Sequence, residues 1–295
     1  MKKQKLKLAF SLIELSVVIL IIGILVIGIT KGSRIIRASK LRTAQSLTNS
    51  SPVASTDGLM LWYEATLDKS FNSGEAVDTS AASNGTLSAW NDINPQTTTP
   101  NNAAQTGAAT LKPRYLANAI NGLPAVNFDG SNDYFNYDGT KLANTEYSIF
   151  VVEQRRDATD FRYFLGGEDQ ITNANLHLGY RSNMAPTFAQ YSNDYDTTIA
   201  AYTSPIPRVH SYRFSATKVR DYNINGLPQS LTCTSVCAQT LLTSYNSAYV
   251  GKIHTVVGIS FYYGDIGEII IFTRYLKDSE RSNIEKYLKA KWGIK

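Results

Sequence analysis

The feature that most constrains this chain is one long apolar run between two basic segments. Residues 10–29 contain fifteen large apolar side chains, and Glu14 is their only charge. A hydrocarbon core of ~30 Å is spanned by ~20 apolar residues in a helix. One carboxylate costs roughly 2.5–3.5 kcal/mol on insertion scales, whereas apolar residues return roughly 0.3–0.6 kcal/mol each, so insertion is favoured. We therefore expect a long N-terminal transmembrane α-helix that crosses the bilayer over residues 10–30.

The start of this run resembles the amino terminus of a known family. A basic leader, MKKQKLKLA, is followed by Phe10, three residues, Glu14 and an apolar helix, as in type IV prepilins and type II secretion pseudopilins. In that family a membrane peptidase cleaves before the Phe and methylates the new amine. The resemblance therefore implies cleavage between Ala9 and Phe10 and N-methylation of Phe10. It also implies that Glu14 attracts the terminal amine of a neighbouring subunit during assembly. Ala9 departs from the family, which prefers Gly there.

The same resemblance implies an organisation and a location. It predicts a cytoplasmic leader at residues 1–9 and a pilin-like helix over residues 10–50. The four lysines of the leader favour the inner face of the membrane. We therefore expect localisation in the bacterial inner membrane with a periplasmic head, and later in a pilus, a pseudopilus or at the cell surface. The implied partners are other pilin or pseudopilin subunits, a prepilin peptidase and the inner membrane.

Two simpler targeting signals are alternatives for the apolar run. A secretory signal peptide has an apolar core of ~7–15 residues and then a small-x-small cleavage site. Here the core is longer and is followed by Lys31, Arg34 and Arg37, which disfavours that signal. A plain signal anchor stays open, since it requires only that Glu14 lie near the membrane interface.

The positive charge of the chain is confined to its first 42 residues. Nine of its 29 Lys and Arg residues lie there beside one acid, whereas the remainder carries 20 bases and 23 acids. A nucleic-acid-binding domain needs a basic surface to contact phosphates. We therefore expect no nucleic-acid partner.

From residue 58 onward, short apolar runs alternate with Gly, Asn and Asp, a pattern typical of an all-β sandwich. The runs, in their order, resemble the laminin-G-like or concanavalin A-like jelly-roll domains of bacterial surface proteins. The motifs are LMLWYEA at 59–65, AWND at 89–92, KPRYLANAINGLPAVNFDGSNDYF at 112–135, SIFVVEQ at 148–154, FLGG at 164–167, YVG at 249–251 and YGDIGEIIIFTRYLKDSERSNIEKYLKAKWGI at 263–294. The resemblance predicts a jelly roll over residues 58–295, after a linker at 51–57.

Three segments of the β region do not follow the strand pattern. Residues 76–109 and 183–207 are polar, and we expect long surface loops there, the first interrupted by one strand. The carboxyl end is expected to form a short helix that Asp278 or Ser279 caps and Gly293 ends. Its apolar face is expected to contain Ile284, Leu288 and Trp292.

Cys233 and Cys237 are the only cysteines. In an exported domain such a pair favours a disulfide, although free thiols remain the alternative. A metal site needs more ligands than two thiols, and no histidine lies nearby in sequence.

Two groups of residues are candidates for ligand binding. Asp129, Asn132 and Asp133 place oxygen atoms in one turn, as a calcium ion prefers, but a turn that bonds its own backbone would use the same residues. The second group is a possible sugar-stacking surface in a polar loop; its members are Tyr191, Tyr195 and Tyr202.

No motif for catalysis is evident. Asp265 and Glu268 are the nearest approach to a carboxylate pair, but a spacing of three places them on opposite faces of a strand. His177, His210 and His254 are scattered singly, without metal-ligand spacing. We therefore predict that the chain is not an enzyme.

Jelly-roll domains of this type commonly bind carbohydrate or protein, often with calcium. We accordingly expect a minor pilin or pilus-associated subunit whose head binds a carbohydrate or a surface protein, with a role in adhesion. The alternatives are a type II secretion pseudopilin that recognises exported cargo, a membrane-tethered glycan hydrolase and a passive structural spacer.

Overall fold

A computed structural model describes residues 12–76, 85–198, 205–254 and 261–295. The predicted cleavage site at Ala9 and Phe10 lies outside these ranges, as does Tyr202. The chain divides into two compact units, and the boundary in sequence lies between Arg42 and Thr43.

The first helix, α1, extends from Leu12 to Asn49. Within the described ranges, no helix has both the length and the apolar content that crossing a membrane requires. The transmembrane helix predicted over residues 10–30 is therefore wrong, and so is the inner-membrane localisation that depended on it.

The second unit begins with the last turns of α1, where Ala44 and Thr48 are buried. The predicted linker at 51–57 contains a 3-10 turn, Pro52–Ser55, whose Val53 belongs to the core. Seventeen strands follow along the described chain. They are β1 Leu59–Glu64, β2 Ala89–Trp90, β3 Ala103–Ala104, β4 Arg114–Ile120, β5 Leu123–Asp129, β6 Phe135–Tyr137, β7 Tyr147–Arg155, β8 Arg162–Gly167, β9 Leu176–Tyr180, β10 Pro186–Gln190, β11 Asp194–Thr197, β12 Arg208–Ser215, β13 Lys218–Ile224, β14 Leu227–Pro228, β15 Leu231–Ser235, β16 Ala248–Val250 and β17 Tyr263–Phe272.

The strands form two antiparallel sheets. The eight-stranded sheet has the order β14-β13-β12-β7-β17-β5-β4, with β1 paired to β17, and the nine-stranded sheet has the order β15-β11-β10-β9-β8-β16-β6-β3-β2. Aromatic side chains join them: Phe164 of β8 and Phe188 of β10 both contact Tyr212 of β12. The β-sandwich expected from the short apolar runs is therefore present.

The expected loop over residues 183–207 is partly wrong, because β10 and β11 lie within it. Phe188 of β10 joins the core, and Thr187 and Ala189 beside it are small side chains on the opposite face. Small residues on one face do not produce the apolar alternation by which a strand is recognised in sequence.

The carboxyl-terminal helix, α2, extends from Asp278 to Trp292 and ends at Gly293, which has a left-handed backbone (φ 62°). Its N-cap is Lys277, one residue before the expected cap, and the Glu280 carboxylate accepts the Lys277 N–H at 2.8 Å. Gly267 of β17 lets the helix pack closely, since a Cβ there would lie 2.5 Å from the Trp292 ring.

A fully buried ion-pair network attaches α2 to the eight-stranded sheet. The Lys291 ammonium lies 2.7 Å from Glu64 Oε2 and 2.9 Å from Glu268 Oε2, and none of the three side chains is exposed. Burial alone would lower the pKa of Lys291, but the two carboxylates outweigh it and raise that pKa. Trp62 and Trp292 also donate to Glu268, at 2.7 and 2.8 Å. Because every charge in this network has a partner, removal of any one of them would leave an uncompensated charge in the interior.

Candidate functional site

The outer face of the nine-stranded sheet, the face turned away from the core, contains a group of buried side chains. On β8, β9 and β16, the residues Phe164, Leu178 and Val250 belong to the core cluster. Tyr163 and His177 alternate with these core residues and are also buried, yet they lie outside that cluster. Because successive residues of a strand point to opposite faces, these side chains form the outer face.

A pocket of about 420 Å³ lies on this outer face. Its lining residues are Phe161, Tyr163, His177, Arg181, Tyr191, Ser192, Asp194, Ser235, Ile253 and His254. Aromatic rings and a few polar groups line it, and its volume falls within the ~300–1,000 Å³ typical of small-molecule sites. It is therefore the candidate ligand site.

Three rings form a triangle in the wall of the pocket. The ring centroids of His177 and Tyr191 are 5.7 Å apart, those of His177 and His254 are 5.8 Å apart, and those of Tyr191 and His254 are 5.7 Å apart. Tyr163 adds a fourth ring, 5.8 Å from His177. The sequence offered no spacing that links these residues, because β9 and the segment after β16 are brought together only by the sheet.

His177 has a buried polar atom without a partner. Its side chain is 6% exposed, and its Nε2 makes no hydrogen bond to any residue that the structure describes. Burial lowers the pKa of His177 to about 3, with smaller contributions from His254 and Arg181. Burial likewise lowers the pKa of His254. A neutral imidazole presents one donor and one acceptor, so His177 can bond a ligand hydroxyl without carrying charge.

Arg181 occupies the charged side of the pocket. Its Nη1 lies 3.1 Å from Asp194 Oδ2 and 3.3 Å from Asp196 Oδ2. The same nitrogen is 3.3 Å from Thr234 Oγ1, which in turn donates to Asp196 at 3.0 Å. Burial raises the pKa of Asp194, and the positive charge of Arg181 limits that rise. The guanidinium is thus held by groups of the protein itself.

A disulfide loop forms one edge of the pocket. Cys233 and Cys237 are joined, with their Cα atoms 5.5 Å apart. Ser235, between them, lines the pocket and donates through Oγ to the Ser192 carbonyl at 2.9 Å. The disulfide therefore restrains a segment that contacts any occupant of the pocket.

Of the three tyrosines proposed for sugar stacking, the structure describes Tyr191 and Tyr195, which have different surroundings. Tyr191 lines the pocket. Tyr195 packs instead against Arg220 of β13, whose guanidinium carbon is 4.3 Å from its ring centroid. Tyr202 lies outside the described residues.

The candidate calcium turn bonds its own backbone. Asp129 Oδ1 accepts the N–H groups of Ser131 and Asn132 at 2.8 and 3.1 Å, and Asp133 Oδ2 accepts the Asp129 N–H at 3.0 Å. Among the described residues, no group of three or more His, Cys, Asp or Glu side chains is arranged to hold a metal ion. Burial and the neighbouring Asp129 raise the pKa of Asp133 to about 7. Calcium binding at this turn remains a prediction.

The carboxylates considered for catalysis belong to separate structural networks. Asp265 accepts Arg156 Nε at 2.9 Å and Asn127 Nδ2 at 2.8 Å. Glu268 belongs to the Lys291 network, and the register of β17 is irregular between Ile266 and Glu268. Both carboxylates are therefore structural in this fold.

Comparisons with protein-family models and with curated proteins found no match. Among solved structures, Trypanosoma rangeli sialidase in complex with 2,3-difluorosialic acid is similar with a TM-score of 0.52 at 14% identity, over 85% of this chain and 38% of the sialidase. Another structure of that sialidase has a TM-score of 0.50 at 14% identity, with the same coverage. Domain 4 of an extracellular GH43 arabinanase from Geobacillus stearothermophilus, in complex with arabinotriose, has a TM-score of 0.50 at 14% identity, over 77% of this chain and 98% of that domain.

These similarities concern the fold, and this chain spans little more than a third of the sialidase's length. They correct one prediction. The sandwich is of a kind found in a sialidase and in an arabinanase, both of which are glycosidases by name. The prediction that the chain is not an enzyme is therefore wrong as it was made, because it rested only on the absence of a recognisable motif.

Proposed function

We propose that the β-sandwich binds a glycan in the pocket on the outer face of the nine-stranded sheet. The observation that carries the proposal is the position of His177 Nε2, which has no partner among the residues that the structure describes. It belongs to a pocket walled by Tyr163, Tyr191 and His254. A sugar has the matching chemistry: its hydroxyls form hydrogen bonds, and its apolar faces pack against aromatic rings. A buried polar atom without a partner costs roughly 1–3 kcal/mol, so a ligand that satisfies it gains that free energy.

The fold is compatible with this proposal. The arabinanase domain of similar fold was solved with arabinotriose, and the similarity extends over 98% of that domain. We accordingly take short neutral oligosaccharides, arabinotriose among them, as the first ligands to test. Adhesion through a surface glycan is the role that this binding would serve.

Isothermal titration of the full-length chain with a panel of oligosaccharides tests the proposal. We expect His177→Ala and Tyr191→Ala each to weaken binding at least about tenfold, which corresponds to ~1.4 kcal/mol. Tyr195→Ala is the matched control, since Tyr195 contacts Arg220 and not the pocket; its affinity is expected to stay unchanged. Release of reducing sugar is measured in the same samples, because glycosidases share this fold. Equal affinities for all variants would contradict the proposed site.

A second proposal concerns α1. Its apolar side chains from Ile13 to Leu25 are exposed around the whole helix, including Ile19 (62%) and Leu20 (63%). Helices with apolar side chains on every side are normally covered. We infer that α1 helices of other subunits cover them, in an assembly where the prepilin resemblance implies that Glu14 attracts the terminal amine of a neighbouring subunit.

Co-expression of tagged and untagged full-length copies tests this assembly. We expect the two copies to co-purify, and Ile19→Asp combined with Leu20→Asp to abolish co-purification. Arg34→Ala, an exposed position on the same helix, is the control and is expected to co-purify like the original chain. A lack of co-purification in the unaltered chain would contradict the inference.

A further inference from the structure

We infer that Asp194 and Asp196 determine the specificity of the pocket by occupying Arg181, so that it accepts neutral sugars and rejects sugars that carry a carboxylate. This inference rests on the proposed glycan binding and adds the class of sugar.

The first observation behind this inference is the set of contacts that Arg181 makes within the protein. Arginine recognises a carboxylate by presenting paired N–H donors to its two oxygens. Here Nη1 of Arg181 is already within 3.3 Å of both aspartates and of Thr234 Oγ1. Arg220 also acts on Asp194 to lower its pKa, so the two aspartates are balanced by two guanidinium groups. A sugar carboxylate would therefore have to displace Asp194 and Asp196 from Nη1 of Arg181 before it could bind there.

The second observation is the charge of the other residues that line the pocket. Arg181 is the one Lys or Arg among the described residues that line the pocket. Both histidines there are held neutral by burial. Lys252, next to Ile253 in the chain, lies between the rings of Tyr134 and Tyr249, with Nζ 4.0 and 3.9 Å from their centroids. It is thus engaged by those rings, which leaves hydroxyl groups and aromatic faces as the recognition chemistry of the pocket.

Removal of the two negative charges should reverse the preference. In the double variant Asp194→Asn, Asp196→Asn, the guanidinium has lost its charged partners, and a sugar carboxylate can take their place. The asparagine side chains keep nearly the same shape and retain one acceptor oxygen each, so the walls of the pocket are preserved.

The test is binding of the full-length chain to an array of matched glycans that differ only in a carboxylate, such as neutral and sialylated or uronic-acid forms. We expect the unaltered chain to bind neutral members at least about tenfold better than acidic partners, and the double variant to reduce that ratio at least about tenfold. Adding Arg181→Ala to the double variant should remove the gain. Asp57→Asn combined with Asp68→Asn removes two exposed carboxylates outside the pocket and controls for the change of two charges.

Each outcome separates the two proposals. If the unaltered chain binds no glycan in either form, glycan binding itself is overturned. If it binds acidic and neutral forms equally, or if the double variant keeps the original ratio, only the specificity inference is overturned. Thermal unfolding checks that the double variant is folded; if it is not, Asp196→Asn alone is used, with an expected threefold or larger change of the ratio.

Discussion

The core of the sandwich and its outer face each contain a buried histidine, and the two differ in whether their ring nitrogens have partners. His210 in the core bonds the Tyr222 hydroxyl through Nδ1 at 2.7 Å and Glu153 through Nε2 at 2.9 Å. His177 on the outer face lines the pocket, and its Nε2 has no partner in the part of the chain that the structure describes. Burial lowers the pKa of both. The pKa direction alone therefore does not distinguish the two histidines; their hydrogen-bond partners do.

The core network extends beyond His210. Glu153 also accepts from Tyr180 at 2.6 Å and from the Tyr262 hydroxyl. Burial alone would raise the pKa of Glu153, but the hydrogen bond from His210 and the charge of nearby Arg208 lower it to about 2. Hydrogen-bonded polar groups of this kind specify the packing of the two sheets. In the pocket, Nε2 of His177 has no such partner among the described residues.

We expect the largest loss of stability in the Lys291 network, where the buried ammonium and both buried carboxylates are paired. Lys291→Ala leaves Glu64 and Glu268 buried without their shared cation, and we expect the free energy of unfolding to fall by about 3–5 kcal/mol. Urea denaturation measures it. Lys286→Ala, an exposed position on the same helix, is the control and should change stability by less than about 0.5 kcal/mol. A small loss for Lys291→Ala would show that pairing does not matter here.

The two histidines provide the direct comparison. We expect His210→Ala to cost about 3 kcal/mol of unfolding free energy, because it leaves a cavity and removes one partner of Glu153. His177→Ala removes no hydrogen bond at Nε2, so its cost should be about 1 kcal/mol, while ligand affinity falls. Equal stability losses in the two variants would remove the distinction between the two faces.

The pH dependence of stability sharpens the comparison further. The pKa of His177 is about 3 in the folded chain and ~6.5 when unfolded. Between these values the unfolded state binds more protons, so stability falls as the pH is lowered from about 6.5 towards 3. His254 acts in the same direction, as its pKa is also lowered. We expect His177→Ala to flatten the fall in urea midpoint between pH 7 and pH 4; an unchanged slope would contradict the buried neutral state.

Removal of the disulfide tests how far ligand binding depends on the Cys233–Cys237 loop, which forms one edge of the pocket. Replacing both Cys233 and Cys237 by Ser should cost about 2 kcal/mol or less, because the closed loop is short. Ligand affinity should fall modestly as Ser235 loses its restraint. Calorimetric titration and thermal unfolding of one sample separate the two effects, and an unchanged affinity would show that the loop holds its position without the disulfide.

Asp133 is an intermediate case, a buried carboxyl that accepts the backbone N–H of Asp129 within its own turn. Its pKa of about 7 exceeds the unfolded value of ~3.9. The folded state therefore binds the proton more tightly, and stability falls as the pH rises from about 4 to 7. Asp133→Asn should reduce the difference in unfolding midpoint between pH 5 and pH 8. Calcium added at pH 8 should stabilise the unaltered chain more than the variant if the turn binds that ion.

Much of the architecture could be predicted from local pattern. The alternation LHLGY around His177 indicates a strand with leucines on one face, and Gly293 marks the end of the last helix. The same LHLGY pattern could have identified His177 as an outer-face residue. Two predictions were wrong because they relied on local composition. The helix α1 is long, but its described residues do not meet the requirement for a membrane span. The polar segment 183–207, expected to be a loop, contains two strands.

The sequence by itself determined which faces of the strands are apolar, because side-chain alternation depends only on neighbouring residues. Only the tertiary structure decided that His177 meets His254 and that Arg181 meets Asp194 and Asp196. These contacts depend on the order of strands in the sheet and on their register. Both are set by long-range pairing, which no local sequence pattern contains.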